Sequence, residues 1–153
     1  MRFSKMGGRE VIIDTNALFI PAQFHVDIFS ELERLGYTKA LVPREVMCEL
    51  ERVRKKLRGR HKVAAELALE LLRKYNAEGR LLVVEVEECS PEDAADLSAA
   101  SVDEALIRLA KRRGAAVLPN DSKLRRKLLK EGVTVVYLRE KSRLEERGKL
   151  GGD

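Results

Sequence analysis

Four acids occupy places where a carboxylate can do chemistry: Asp14, Glu49, Asp103 and Asp121. Asp14 sits in Val11-Ile12-Ile13-Asp14-Thr15-Asn16, where an apolar run gives way at once to a carboxylate, a hydroxyl and an amide. That reads as a buried strand with a polar end, and in an open α/β sheet the carboxyl ends of strands are where ligands bind. Asp121 follows a later apolar stretch, Ala115 to Leu118, by a few residues. Glu49 lies three residues after Val46 and four before Val53, so it flanks the buried stripe of a helix rather than facing bulk water. Asp103 falls in the first turn of a helix expected to open at Ser101. Each has an ordinary structural explanation. The strand can simply end in an Asx turn, Asp121 can cap its helix, Asp103 can complement a helix dipole, and Glu49 can pair with Arg52. Four carboxylates converging in one crevice are harder to explain that way. They repel one another and raise each other's pKa unless a cation sits among them. Oxygen donors without His or Cys point to Mg²⁺ or Mn²⁺, and so to metal binding and phosphate chemistry.

The elements that must position these acids follow from periodicity and punctuation. Strands are expected at Glu10–Asp14, Lys39–Val42, Leu81–Val86, Ala115–Leu118 and Val133–Leu138. Ile20-Pro21 reads as a loop, and His25 as a helix-start residue. Val26, Phe29, Leu32 and Leu35 recur at helical spacing, with Gly36 as a C-cap. Pro43 opens the next helix, whose stripe is Val46, Leu50, Val53 and Leu57. Gly59 is expected to break it. A long helix over about 63–77 then turns Ala64, Leu67, Ala68, Leu71 and Leu72 inward. Ser90-Pro91-Glu92-Asp93 is a helix-start signature, and Ser101 with Glu104 makes a capping box that leads to a helix ending before Gly114. Glu104 is therefore either a capping residue or an auxiliary ligand. Asn120-Asp121-Ser122 starts a basic helix that Gly132 ends.

Strands alternating with helices predict an α/β fold, a three-layer α/β/α sandwich around a parallel sheet of about five strands. In such a sheet the first and fourth strands can be neighbours at the switch point, which brings Asp14 and Asp121 together. The chain divides into a loose leader over 1–9, one domain over 10–139 and a charged, frayed tail over 140–153 ending in Gly151-Gly152.

The chain has 153 residues, enough for one domain with a sizeable core, and is 44% hydrophobic and 36% charged, which excludes a disordered chain. Its net charge is +5 and its pI about 9.3, a balance that permits nucleic-acid binding without establishing it. Basic residues concentrate at Arg52, Arg54, Lys55, Lys56, Arg58, Arg60 and Lys62, and again on the helix with Lys123 and Arg126. These can track phosphates, or they can be a solvated face of a heat-adapted protein. Gln occurs only at position 23 and Asn only at 16, 76 and 120, a composition like that of proteins from hot habitats. With 5% aromatic residues and no Trp, a base-stacking platform is poorly supported. No apolar run approaches the roughly 18 residues of a membrane helix, and 1–8 lack the apolar region of a signal peptide, so a cytoplasmic location is expected. Cys48 and Cys89 show no metal spacing and read as isolated buried thiols.

The chain resembles the PIN-domain (PilT N-terminus) nucleases over about 10–139. The matching residues are Val-Ile-Ile-Asp14-Thr-Asn16, Val-Met-Cys-Glu49-Leu, Ala-Ser-Val-Asp103-Glu-Ala-Leu-Ile, Asn120-Asp121-Ser-Lys-Leu and the closing Gly132-Val-Thr-Val-Val-Tyr-Leu-Arg139. It looks most like the archaeal branch near the nucleases of ribosomal-RNA processing. The resemblance implies that Asp14, Glu49, Asp103 and Asp121 bind the metal, with Asn16 as a supporting hydrogen-bond partner. It implies a Mg²⁺- or Mn²⁺-dependent endoribonuclease, acting in ribosomal-RNA processing or as the toxin of a toxin–antitoxin pair. RNA is the implied substrate, and an antitoxin, a ribosome-assembly factor or a second copy of the chain the implied partner. The chain departs from the family at Pro119, where a Thr or Ser two residues before the last Asp is common. A non-catalytic RNA-binding scaffold with a residual acidic pocket is the alternative. A dehalogenase-like phosphatase fits less well, because it would want Asp where Asn16 stands. A receiver domain would want its acceptor Asp after the third strand, where Glu85 to Glu88 lie instead.

Overall fold

The computed structural model of the chain describes residues 8–78, 81–87, 89, 99–119 and 121–148, with backbone alone for Ala77, Glu78 and Ala99. β1 (Arg9–Ile13) leads into a 3₁₀ turn (Thr15–Phe19), α1 (Ile20–Phe24) and α2 (Ile28–Arg34). β2 (Tyr37–Val42), α3 (Arg44–Lys56), α4 (Gly59–Glu78) and β3 (Val83–Val86) follow. The chain closes with α5 (Ala99–Arg113), β4 (Ala116–Leu118), α6 (Ser122–Lys130), β5 (Val135–Arg139) and β6 (Arg143–Arg147). The strand order is β3-β2-β1-β4-β5-β6, parallel except for β6. Val11–Ile13, Ala40–Val42 and Ala116–Leu118 are buried without alternation, as strands covered on both faces must be. The chain steps outward from β1 through β2 to β3, then returns to the other side of β1 for β4 and β5. Right-handed crossovers in these two directions place helices on opposite faces, which makes the three layers. β1 and β4 are neighbours, so the switch point is where the sequence places it.

The sheet has six strands rather than about five, because residues expected in a frayed tail form β6. Leu144 is fully buried among charged neighbours, and those neighbours are paired rather than solvated: Arg143 and Arg139 both contact Glu145, and Glu146 holds Arg9. α2 closes the outer edge of β6, since Leu144 N–H donates to Glu31 Oε1 at 3.0 Å and Arg34 donates to Leu144 O at 2.7 Å. The hairpin turn puts Glu140 and Lys141 at φ 55° and 57°, a conformation for which Gly or Asn is the usual sequence signal. Neither is present, which hides the turn.

Other expectations change as well. Ile20-Pro21 opens α1 rather than a loop, with Pro21 in the first turn where its missing N–H costs nothing, and His25 is that helix's left-handed C-cap at φ 58° rather than a helix start. α3 gives way at Leu57, and Gly59, at φ 60°, begins α4 instead of ending α3. The inward face of α4 is Ala65, Ala68, Leu69, Leu72 and Tyr75, rotated from the expected stripe, with Tyr75 stacked on Phe29 at 4.6 Å between ring centres. α5 is already running at Ala99, so Ser101 does not cap it and Asp103 and Glu104 are not in its first turn.

Cys48 and Cys89 are not isolated thiols; they form a disulfide with Cα atoms 5.1 Å apart across 41 residues of sequence. Parallel pairing explains it. Val42 lies beside Val86, so the chain leaving β3 runs past the start of α3, where Glu87 Oε1 accepts from Arg44 N–H at 3.0 Å and Cys89 reaches Cys48. The helix-start signature at 90–93, Asn120, residues 1–7 of the leader and residues 149–153 of the tail lie outside the described residues.

Candidate active site

Asp14 extends the β1–β4 ladder by one bond, donating its N–H to Leu118 O at 3.0 Å. It then turns out of the sheet as the N-cap of the 3₁₀ turn, and its Oδ1 accepts from Thr15 N–H at 2.8 Å. The residue is 5% exposed. Glu49 approaches from α3, half-buried beside Val46 and Leu50, and its Oε1 accepts from the Thr15 hydroxyl at 2.6 Å. Asp103 comes from α5, also half-buried. Asp121 caps α6 just beyond β4, exposed, its Oδ1 accepting from Lys123 N–H at 3.2 Å. The capping explanation for Asp121 therefore holds alongside any other role.

Electrostatics place the four in one field. Burial pushes the Asp14 carboxyl up to about 7 against the pull of its one backbone donor, and the charges of Glu49, Asp103 and Asp121 push it further the same way. Burial also raises Asp103, with Asp121 and Glu49 adding to the rise while Lys127 and Lys123 oppose it. Among the described residues, none of the four carboxylates has a basic side chain in ion-pair contact. The donor set, four oxygen acids without His or Cys, fits a hard divalent cation. The side chains are not drawn into a coordination shell: among the described residues, no group of three or more His, Cys, Asp or Glu is arranged to hold a metal ion.

The remaining predicted residues are spread more widely. Asn16 is exposed on the 3₁₀ turn, one residue past Thr15. Lys123 reaches the acids, since its charge acts on Asp103, whereas Arg126 is exposed further along α6. Of the run at Arg52, Lys55, Lys56, Arg58, Arg60 and Lys62, the part on α3 begins one turn past Glu49 and moves away, so that Lys56 is about 10 Å further along the helix axis, while Arg58 follows the end of α3 and Arg60 and Lys62 lie on α4. Arg54 in that run is tied to Glu51 at 2.8 Å. Arg60 lines a separate cleft with His61, Phe19, Val53 and Leu57.

Sequence reasoning passed over two residues. Thr15 is 2% exposed and bonds both flanking acids, a role signalled by a hydroxyl at a buried strand end, which must find a partner. Lys127 acts on Asp103 from one helical turn beyond Lys123, the spacing that puts two side chains on one face.

Residues 11–141 match the family described as PIN like domain. The chain is 32% identical to a protein named Ribonuclease VapC9 from Archaeoglobus fulgidus, over 89% of this chain and 87% of that one. It is 28% identical to Ribonuclease VapC4 from Methanocaldococcus jannaschii, over 89% of this chain and 95% of that one. A solved domain of a functionally unknown protein from Methanocaldococcus jannaschii superposes with a TM-score of 0.60 at 20% identity, covering 86% of this chain and 91% of that one, a likeness of fold alone.

Proposed function

This chain belongs to the PIN-like domain family, and on that footing we propose that it is a divalent-metal-dependent endoribonuclease that hydrolyses RNA phosphodiester bonds. The observation that carries the reading is the Asp14 carboxyl at the switch point, without a cation in contact and pushed up to about 7, first by burial and then by the charges of Glu49, Asp103 and Asp121. A protein has little reason to bury a carboxylate beside three others without a counter-charge, and such perturbed groups in a crevice are candidates for functional sites. The ribonuclease names of two relatives support RNA as the polymer.

In this reading Asp14, Glu49, Asp103 and Asp121 hold Mg²⁺ or Mn²⁺. Bound there, the ion supplies a Lewis acid that acidifies water and screens charge on the phosphate. Asp14, fixed by the β1–β4 ladder, gives the site its rigid floor. Asp103 and Asp121 close it from the other side of the switch point, and one of the carboxylates accepts the proton of the attacking water. Lys123 and Lys127 stand at the acidic rim, where they hold flanking phosphates in a salt-sensitive, sequence-blind way. Asn16 supports the site from the 3₁₀ turn. The basic run from Arg52 to Lys62 extends the track for a longer strand. The cytoplasm is the proposed setting, and ribosomal-RNA processing or a toxin role with an antitoxin partner are both consistent with the same reaction.

The test is cleavage of a labelled structured RNA by wild type and Asp121→Asn in Mn²⁺, Mg²⁺ and EDTA. Wild-type cleavage lost in EDTA and in the variant is the expected result. Tight, salt-sensitive RNA binding without cleavage would replace the nuclease with a scaffold, and cleavage surviving in Asp121→Asn would remove that residue from the site.

A further inference from the structure

We infer that Thr15 is a positioning residue that sets the orientation of Glu49 for the bound ion, an assignment that rests on the metal-nuclease reading above. Thr15 is buried at the end of β1, between the strand that carries Asp14 and the helix that carries Glu49. Its hydroxyl has one proton and two acceptors in range, Glu49 Oε1 at 2.6 Å and Val46 O at 3.5 Å. The shorter contact is to the charged acceptor, so the proton goes to Glu49, and bonds to ionised acceptors are roughly twice as strong as neutral ones. The backbone N–H of the same residue holds Asp14 Oδ1 at 2.8 Å. One residue thus orients two acids from different elements, through the main chain for one and the side chain for the other.

The two attachments differ in what a substitution can remove. Any replacement at position 15 except proline keeps the N–H bond to Asp14; only the hydroxyl bond to Glu49 depends on the side chain. Glu49 has three side-chain torsions and stands half-exposed on α3, so without that bond its carboxylate is free to rotate away. Partners that orient ligands in this way change metal affinity by about 10- to 100-fold when removed.

The experiment is a calorimetric Mn²⁺ titration of the full chain as wild type, Thr15→Val and Thr15→Ser, with melting temperatures measured alongside. Valine has the same shape without the hydroxyl; serine restores the hydroxyl without the methyl. The expected result is about tenfold weaker Mn²⁺ binding in Thr15→Val, recovery to within about twofold in Thr15→Ser, and no further loss when Thr15→Val is added to Glu49→Ala, which leaves no acceptor for the hydroxyl. Thr15→Ala replaces the valine variant if the latter does not fold. Unchanged Mn²⁺ affinity without the hydroxyl, or a loss that serine does not recover, would reduce Thr15 to a packing residue while leaving the nuclease intact. Wild type that binds no Mn²⁺ would instead overturn the metal reading, and the assignment of Thr15 with it.

Discussion

The two ends of the sheet use the same residue types in opposite ways. At the amino end of the parallel strands every acid named here has a cation. Glu10 meets Arg113 at 2.8 Å, Glu131 meets Lys111 at 2.9 Å, and Glu146 meets Arg9. The Arg113 hydrogen bond holds Glu10 below the usual carboxylate range. Four residues further along the same strand direction, Asp14 is driven up to about 7, first by burial and then by three other acids. A cleft of about 670 Å³ opens at the amino end, lined by Arg9, Glu10, Lys111, Arg113 and Glu131, yet its charges are already matched. Size of cavity is therefore a poor guide to the chemistry in this fold, and the sign of the uncompensated field a better one. Paired acids report structure; acids left to repel one another are, on the proposed reading, where the fold accepts instability for the sake of a ligand.

The strongest way to break this comparison is to remove the charge at the centre of the field. If the proposed nuclease reading holds, Asp14→Asn lowers RNA cleavage by about a thousandfold or more, because it would remove one of the carboxylates proposed to hold the divalent ion. In the metal-free protein it should do the reverse to stability. The native Asp14 carboxyl keeps its proton up to about pH 7, the unfolded one only to about 3.8, so the native state binds more protons between those values. Wild type then loses stability as pH rises from about 4 to about 7, by on the order of 4 kcal/mol. Chemical denaturation in EDTA across that range should show the decline in wild type and a flatter profile in Asp14→Asn. A wild-type curve that rises instead would mean that the field at this end is already compensated.

How much of this was legible beforehand depended on whether a residue's role is local. The buried runs at Val11, Ala40 and Val117, the β1–β4 adjacency and the positions of Asp14 and Asp121 all follow from short-range pattern and α/β topology. Glu49 was legible as a flanking residue because its place on α3 follows from the spacing of Val46, Leu50 and Val53. What escaped depends on contacts between distant segments. β6 looks like a solvated tail until Glu146 finds Arg9 and Glu145 finds Arg139 and Arg143. Ser101 looks like a cap because a capping box cannot reveal that the helix started earlier. Thr15 was visible in the motif, but its partner is 34 residues away.

The disulfide is the sharpest example of that limit, and it also divides the two ends. Among the described residues the covalent brace is confined to α3 and the chain leaving β3, and Cys48 immediately precedes Glu49. Closing a 41-residue separation restricts the unfolded chain enough to be worth about 4 kcal/mol. Reduction with a dithiol, or Cys48→Ser with Cys89→Ser, should therefore lower Tm by roughly 10 °C. Calorimetry with and without reductant measures it. A Tm that does not move would show that the packing of α3 on the sheet suffices to hold Glu49 in place.

The smallest expected effect tests the other end. Glu10→Gln removes the acid that Arg113 engages through both Nε and Nη2, at 2.8 and 3.1 Å. The pair is partly open to solvent, at 25% exposure for Glu10 and 37% for Arg113, so screening leaves it worth under about 1 kcal/mol despite its good geometry. Urea denaturation at low and high salt should find a small loss that shrinks as salt rises. Cleavage by this variant should match wild type, because Glu10 lies at the opposite end of β1 from Asp14 and belongs to a matched pair. If Glu10→Gln impaired cleavage as Asp14→Asn does, charge compensation would not be what separates the structural acids of this sheet from the working ones.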